Sequence, residues 1–320
     1  MAPLIRMHSW QSPHGRPLPA IGPRTLIMGV LNLTPDSFSD GGQLASLQAV
    51  VDRAGQMIEA GADVLDLGGE STRPGASDVS AEDEKARVLP PLHELRRVFP
   101  KVPISIDTYK AAVADAAIQQ GADIINDVWG LAYGLSDAAR AHWSAVAHGN
   151  ANAVASPRMA TAISSPPVSA MAEVAAGRGC PVVVMHNRVD RNYGDFWAEV
   201  LLDLRTSLAI AQQAGIQRHQ LWIDPGFGFA KNVAQNLEII RELHRVAELG
   251  YPVLVGTSRK STLGAVLNAT VDDRLDGGAA TVVWGIQQGC QMVRVHDVRE
   301  MARFVRMADA IKAGLRFSPG

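Results

Sequence analysis

The sequence has 320 residues, of which 47% are hydrophobic and 19% are charged, a composition that supports one large apolar core and excludes a disordered chain. Its formal net charge is −2 at pH 7, so nothing indicates a nucleic-acid partner or an anionic membrane partner. An anionic substrate must therefore be bound by a local cluster of arginine and lysine residues.

The cysteines and the first residues of the sequence bear on its compartment. Cys180 and Cys290 are too few for a disulfide framework, and each precedes an apolar run in which a buried packing role is expected. Residues 1–19 contain no apolar signal region, and no window of the sequence approaches the length of a membrane span. We expect a cytoplasmic protein without membrane contact.

One pattern recurs along the chain: a short apolar run, a polar loop, a helical stretch and a glycine before the next run. The runs are rich in Val, Ile and Leu, as expected for parallel strands covered on both faces. The glycines are typical of left-handed helix ends and stand in the segments 60–63, 120–123, 178–181, 249–252 and 288–291. The predicted strands are 26–32, 63–69, 104–107, 124–128, 182–187, 221–226, 253–258 and 292–298.

Eight β-then-α units in series predict an α/β fold of the (β/α)8 TIM-barrel type, with a doubly wound open sheet as the alternative. The segment 131–178 breaks the rhythm, because one helix normally suffices there. Its middle part, 144–170, is rich in Ala, Ser and Pro with few large apolar residues, which favours a surface excursion over a second domain. We predict a single domain over residues 1–320 with a long, partly low-complexity insert after strand 4.

Polar residues follow nearly every predicted strand. Active sites of (β/α)8 barrels lie at the carboxyl ends of the strands, so these residues are predicted to surround one mouth. Asp107 taken alone would also fit a helix cap, but the same placement on so many strands favours a functional site. The set comprises Asn32, Glu70, Asp107, Asn126, His186, Asp224, Ser258, Arg259, Lys260, Arg294 and His296.

One group within this set offers hydrogen-bond acceptors and donors for a flat heterocycle with an amino-amide edge. Such an edge supplies the donors that carboxylates in an apolar pocket require. The group consists of Asp107, Asn126, Asp224 and Lys260.

A second group is cationic or can become so, and it is suited to phosphate oxygens. It consists of Arg73, Arg294 and His296. Asn32 is an oxygen ligand for a Mg²⁺ ion that keeps most of its waters and bridges to a diphosphate. No nucleophile is predicted, because Ser258 has no obvious His partner at a useful spacing and no Walker A, strand-linked GxGxxG or HExxH pattern occurs.

Several loops combine turn-forming residues with these polar groups. The loop 32–42 contains one apolar ring, Phe38, and is suited to a movable lid, whereas the Pro-Gly pair in 71–76 marks a tight turn. In the loop 224–232, glycines around Phe227 and Phe229 would let the backbone approach a ligand closely.

Taken together, these motifs resemble the dihydropteroate synthase family of pterin-binding TIM barrels, from about residue 24 to about residue 307. The resemblance departs from the common pattern at Ala230, at the Asn-Arg pair after His186 and in the long insert. The motifs that carry it are NLTPDSFSDGG (32–42), STRPGA (71–76), SIDTYK (105–110), IIND (124–127), DPGFGF (224–229), SRKS (258–261) and RVHDV (294–298).

The resemblance implies a homodimeric folate-biosynthesis transferase, a sulfonamide target, that condenses 6-hydroxymethyl-7,8-dihydropterin diphosphate with p-aminobenzoate to 7,8-dihydropteroate and pyrophosphate. It implies a pterin pocket of Asp107, Asn126, Asp224 and Lys260 between Met185 and Phe229. The diphosphate would lie on Arg73, Arg294 and His296, with Asn32 on Mg²⁺, and p-aminobenzoate beside Thr72, Pro74 and Ser258. We assign the catalytic roles to Asp107, Lys260, Arg294 and His296.

The chemistry expected of such a site is dissociative. A neutral arylamine is a poor nucleophile and no strong base is positioned to improve it, so an SN1-like departure of pyrophosphate is favoured. Two alternatives stay open, a pterin-dependent methyltransferase and a non-catalytic pterin-binding paralogue. The STRPG and SRK loops weigh against the first, and the cationic group with Asn32 weighs against the second.

Overall fold

The computed structural model describes residues 10–33, 42–70, 78–152 and 167–314. Within these ranges, eight parallel strands form one sheet. They are β1 (Leu26–Asn32), β2 (Val64–Gly68), β3 (Ile104–Asp107), β4 (Ile124–Asp127), β5 (Val182–Met185), β6 (Leu221–Asp224), β7 (Leu254–Val255) and β8 (Met292–Val295).

The sheet closes on itself. Hydrogen bonds join the strands in the order β6-β5-β4-β3-β2-β1-β8-β7. The two ends of this row meet where Ile223 and Val253 form a parallel bridge, and the Ile223 N–H donates to the Pro252 carbonyl at 3.0 Å. The (β/α)8 barrel prediction is confirmed, and the open doubly wound alternative is wrong.

The last four strands end earlier than the apolar runs predict, since β7 ends at Val255 and β8 at Val295. The residues beyond them turn out of the sheet to form the mouth of the barrel. After β6, for example, the Gly226 N–H donates to Oδ1 of Asp224 at 2.7 Å, and Gly226 has a φ of +70°. An apolar run does not reveal this point, because the turn is set by side-chain to backbone hydrogen bonds.

The helices surround the barrel and begin and end as their sequences direct. Side chains of Ser80, Ser169, Asp195 and Asn232 cap four of the N-termini. All five predicted junctions contain a glycine with positive φ, as left-handed helix ends require. The helices are α1 (Gly42–Glu59), α2 (Ala81–Val98), α3 (Ala111–Gln119), α4 (Asp137–Asn152), α5 (Ala170–Arg178), α6 (Phe196–Ala214), α7 (Val233–Arg241), α8 (His244–Ala247), α9 (Ser261–Leu267), α10 (Leu275–Gln287) and α11 (Val298–Ala313).

The alternation of strand side chains separates two apolar cores. Residues such as Leu65, Ile106 and Val184 point outwards and pack in the layer between strands and helices. Their neighbours along each strand point into the barrel, where Met28 and Trp222 belong to a second, smaller cluster. Cys180 and Cys290 are buried and unpaired, as predicted.

A segment before β1 closes the amino-terminal end of the barrel. The Trp10 ring lies 5.0 Å from that of Trp222, and its indole N–H donates to the Pro19 carbonyl at 2.6 Å. Asp123 fixes the segment by accepting from Ser12 at 2.5 Å and from Arg16 at 2.9 Å. Because this segment fills the amino-terminal end of the barrel, the carboxyl end is left for ligands to enter.

Part of the predicted excursion 144–170 is helical rather than irregular. Its first part is helical, because α4 continues to Asn152 and packs against α6, with Ala147 buried. Helix α5 packs against both α3 and α6, so α5 occupies the outer-layer position between them and α4 is additional. Residues 153–166 lie outside the described residues. Among the described helices, none combines the length and apolar character needed to cross a bilayer.

Candidate active site

Most predicted site residues that the structure describes lie at the carboxyl end of the barrel, but His186 does not belong to its inner face, because its Nε2 lies 3.1 Å from Oδ2 of Asp203 on α6. Strand register places Asn32 beside Gly68, Gly68 beside Asp107, and Asp107 beside Asn126, in one row across β1 to β4. Gly68 lacks a side chain where a Cβ would lie 3.6 Å from the Asp107 carboxylate. A side chain at position 68 would contact the Asp107 carboxylate, so the glycine leaves this side of the carboxylate uncovered.

The other half of the mouth continues this arrangement. Met185 on β5 is in register with Asp224 on β6, and both are buried. Asp107 is not a helix cap, because the N-cap of α3 is Lys110. Because side chains alternate along each strand, residues in this register share the inner face of the barrel. The acids Asp107 and Asp224, the amide of Asn126 and the thioether of Met185 therefore lie at the same end of the barrel.

Arg294 lies among these acids. Its Nε donates to Oδ2 of Asp66 and its Nη2 to Oδ2 of Asp107, both at 2.6 Å. Burial raises the pKa of Asp107 and so does Asp66, whereas Arg294 lowers it. The sequence grouped Arg294 with phosphate ligands, but this structure shows it between two carboxylates.

Asp66 is a site residue that the sequence analysis missed. It is fully buried in the middle of β2, and its Oδ2 also accepts from the Asn126 amide at 3.2 Å. Among the described residues, Oδ1 of Asp66 and Oδ1 of Asp107 are buried without a hydrogen-bond partner. The available signal was a carboxylate inside an otherwise apolar strand, DVLDLGG.

Asp224, Phe229 and Lys260 form the opposite wall. Burial raises the pKa of Asp224 to about 6. Lys260 Nζ lies 4.0 Å from the centroid of the Phe229 ring, which is a cation–π contact. Phe227, the other ring of the 224–232 loop, packs in the outer core with 1% exposure.

Ser258 has a histidine partner, so that part of the sequence analysis was wrong. Its Oγ lies 3.0 Å from Nδ1 of His296 and accepts the His296 backbone N–H at 3.2 Å. Burial lowers the pKa of His296 to about 3, so the ring is neutral. In the tautomer in which the Ser258 hydroxyl donates to Nδ1, the ring proton lies on Nε2, which is then a neutral donor. Arg259, the next residue after Ser258, instead pairs with Asp297 at 2.6 Å.

Glu70, which belongs to neither predicted ligand group, joins three chain segments. Its carboxylate accepts from the Val79 N–H at 3.2 Å, the Tyr109 hydroxyl at 3.3 Å and Lys110 Nζ. Lys110 also pairs with the fully buried Glu84 at 2.7 Å. Glu70 therefore ties the end of β2 and the start of α2 to the β3–α3 loop.

The predicted ligands of the diphosphate, Mg²⁺ and p-aminobenzoate are only partly described by the structure. Thr72, Arg73 and Pro74, together with most of the loop 32–42, lie outside the described residues. Asn32 is described, exposed at the end of β1 at the rim of the barrel. Its amide oxygen suits a largely hydrated Mg²⁺, and no group of three or more His, Cys, Asp or Glu able to hold a metal occurs in the described part of the chain.

Comparison with known proteins agrees with this geometry. The family model described as pterin binding enzyme matches residues 28–162 and 161–296. The dihydropteroate synthase of Bacillus subtilis is 44% identical over 288 residues, covering 90% of this chain and 89% of the relative. That of Clostridium beijerinckii is 43% identical over 292 residues, covering 91% and 96%.

Solved structures give the same result. The Clostridium difficile dihydropteroate synthase, crystallised in the presence of pteroic acid, has 41% identity and a TM-score of 0.78, covering 91% of this chain and 98% of its own. The Xanthomonas albilineans enzyme with 4-aminobenzoic acid has 34% identity and a TM-score of 0.79, covering 97% and 99%. This chain is a pterin-binding (β/α)8-barrel transferase that belongs to the dihydropteroate synthase family.

Proposed function

We propose that the chain condenses 6-hydroxymethyl-7,8-dihydropterin diphosphate with p-aminobenzoate, giving 7,8-dihydropteroate and pyrophosphate. One observation carries the pterin assignment: Oδ1 of Asp107 is buried without a hydrogen-bond partner, in register with Asn126. A buried carboxylate oxygen is costly unless a donor reaches it, and the amino-amide edge of a pterin presents such donors.

The pterin would lie within the barrel mouth. Asp107, Asn126 and Asp224 would pair with its edge, and Lys260 would donate to ring acceptors. Met185 and Phe229 would cover its faces. The pterin's donors would bind Oδ1 of Asp107, while Arg294 keeps its bonds to Oδ2 of Asp66 and Oδ2 of Asp107 and would donate to a phosphate through Nη1.

The diphosphate would lie at the rim, near Arg294 and His296, with Arg73 as the third predicted cation. His296 offers a neutral Nε2–H, and Asn32 would hold Mg²⁺ through its amide oxygen. When bound there, Mg²⁺ supplies positive charge that stabilises the departing pyrophosphate. Ser258 lies beside His296, where we place p-aminobenzoate together with the predicted Thr72 and Pro74.

The reaction we favour is SN1-like. The bond between the pterin methylene carbon and the bridging oxygen breaks, and the electron pair leaves with pyrophosphate. Asp107 and Asp224 stabilise the electron-poor pterin, while Arg294 and His296 stabilise the charge on the leaving group. The arylamine nitrogen then forms the new C–N bond and loses a proton to solvent.

The test is pyrophosphate release measured with both substrates and with each omitted in turn. We expect release that depends on both. Release that needs the pterin diphosphate but not p-aminobenzoate would indicate hydrolysis, and the condensation would have to be given up. Pterin binding without any release would favour the non-catalytic paralogue. Methyl transfer from a reduced folate would favour the methyltransferase.

We also propose a homodimer, supported by an exposed apolar face on helices that pack against each other. Trp284 on α10 is 51% exposed, and Met307 and Ile311 on α11 are 63% and 69% exposed. Val266 and Leu267 on the neighbouring α9 are also exposed. Exposed apolar side chains gathered on neighbouring helices are typical of an oligomer interface.

A further inference from the structure

Lys231 is a buried lysine that the proposed reaction does not use. It follows Ala230 in the loop between β6 and α7, and only 4% of the residue is exposed. A buried ammonium carries a large desolvation penalty unless each of its protons is accepted. Its partners therefore indicate what it does.

Three acceptors surround Lys231 Nζ. They are the carbonyls of Gly226 and Phe229, both at 3.1 Å, and Nδ1 of His186 at 2.8 Å. Three acceptors match the three N–H groups of an ammonium. Burial lowers the pKa of Lys231 to about 7, whereas the carboxylates of Asp224 and Asp203 raise it. The complete set of acceptors stabilises the protonated form.

His186 is itself held in one tautomer. Its Nε2 lies 3.1 Å from Oδ2 of Asp203, which also accepts from Arg188 Nε at 2.8 Å. A carboxylate fixes the proton on Nε2, so Nδ1 is an acceptor for Lys231. Burial lowers the pKa of His186 to about 4, so the ring stays neutral near pH 7.

The turn that Lys231 holds lies between two proposed pterin residues. The Gly226 N–H donates to Oδ1 of Asp224 at 2.7 Å, and the Phe229 ring faces Lys260. Space at this point is tight, since a Cβ on Gly226 would lie 1.9 Å from the His186 carbonyl oxygen. A displacement of the turn would therefore reorient Asp224 and Phe229 together.

We propose that Lys231, held by His186 and Asp203, is a positioning residue for the pterin pocket that fixes the Gly226–Phe229 turn and balances the charge of Asp224. The proposal rests on the assignment of Asp224 and Phe229 to that pocket. Asp224 is faced by three cations, Lys231, Lys260 and Arg294. Lys231 is faced by Asp224, Asp203, Arg188 and His186.

The test compares Lys231→Met with a matched control, Tyr193→Phe. The Tyr193 hydroxyl donates to the Ala230 carbonyl at 2.9 Å, so its removal takes away another contact of the same loop without changing charge. Binding of 6-hydroxymethylpterin is measured from acidic to neutral pH. We expect Lys231→Met to weaken binding roughly tenfold or more, as for a lost hydrogen bond to a charged group.

The acidic part of the pH profile separates positioning from loss of fold. Asp224 must be ionised to bind the pterin, and loss of a neighbouring cation raises the pKa of a carboxyl. The fall in affinity on acidification should therefore begin at higher pH in Lys231→Met and at the unchanged pH in Tyr193→Phe. Wild-type affinity and profile in Lys231→Met would overturn the proposal.

Two further variants test the proposal if Lys231→Met does not fold and separate it from the pocket assignment. Should Lys231→Met not fold, Asp203→Asn tests the same chain of contacts from a side chain that is 31% exposed. We expect Asp203→Asn to bind the pterin more weakly and to lose affinity at a higher pH on acidification than the wild type. An unchanged dependence of pterin affinity on pH would overturn the proposal. Asp224→Asn, measured in parallel, tests the pocket itself. Unchanged pterin binding in Asp224→Asn would remove both the pocket assignment and the role of Lys231.

Discussion

Nη2 of Arg294 lies 2.6 Å from Oδ2 of Asp107, across the barrel from β8 to β3. The pair occupies one oxygen of the carboxylate, and the other oxygen has no partner among the described residues. Asp107 is thus both neutralised by the protein and available to a donor on a ligand. A ligand donor can therefore bind Oδ1 while Arg294 keeps its bond to Oδ2.

Asp107→Asn should weaken pterin binding about ten- to hundredfold, because a charge-assisted hydrogen bond contributes roughly 1.5–3 kcal/mol. Affinity for p-aminobenzoate should change less, since the substitution leaves the Ser258 side of the mouth intact. Calorimetry with each ligand checks this. The control is Asp52→Asn, on the exposed face of α1. Unchanged pterin affinity in Asp107→Asn would exclude Asp107 from the pocket.

Asp224→Asn should stabilise the unliganded protein at neutral pH. Burial raises the pKa of Asp224 from 3.8 to about 6, so the folded state binds more protons than the unfolded state between about pH 4 and pH 6. Stability contributed by this group therefore falls as pH rises through that window. The variant should gain up to about 3 kcal/mol in unfolding free energy above pH 6 and almost nothing near pH 4. Urea unfolding at both pH values tests it, and an equal effect at both would contradict the argument.

Ala230→Gly should stabilise the fold by about 0.5–1 kcal/mol. Ala230 has a φ of +46°, a left-handed conformation that costs a non-glycine residue roughly 1–2 kcal/mol, partly offset by the greater entropy of an unfolded glycine. Asn268→Gly is the matched control, because Asn tolerates its φ of +52° and should gain less. Denaturant titration compares them. A loss of stability in Ala230→Gly would show that the Ala230 methyl group makes contacts that outweigh the strain.

Trp284→Glu should convert the proposed dimer into a monomer, because a buried unpaired charge at an apolar interface is strongly unfavourable. Sedimentation equilibrium gives the mass directly. Val189→Glu is the control, since Val189 is 88% exposed on the β5–α6 loop, away from α10 and α11. A wild-type mass that is already monomeric would refute the dimer, and a dimeric Trp284→Glu protein would move the interface elsewhere.

Trypsin should cut first after Arg158, within the insert, because residues 153–166 are rich in Ala and Ser with few large apolar groups. Helices α4 and α5 each pack on other helices, so the nicked protein should keep both pieces and its activity. Gel electrophoresis and pyrophosphate release on the same sample check this. Lost activity with an intact barrel would make the insert part of the site or of an essential interface.

The barrel fold, and the carboxyl ends of its strands as the place where polar residues collect, could be predicted from the sequence. Apolar runs without alternation predict strands covered on both faces, and eight of them separated by helices leave few arrangements. Side chains alternate between the two faces of a strand, so every second residue faces the inside of the barrel. This alternation places Asp107, Asn126, Asp224 and Arg294 on the inner face. These inferences are local, so no contact had to be known in advance.

Which of these residues contact each other depends on how the barrel closes. Arg294 and Asp107 are 187 positions apart and pair because the barrel closes, and Ser258 reaches His296 because β7 lies beside β8. Asp66 has a local signal, an acid within an apolar strand, but Lys231 lies in a loop and resembles an ordinary surface residue until its burial and partners are known. Burial and long-range pairing depend on closure of the chain, and a local pattern carries no information about which distant groups that closure brings together.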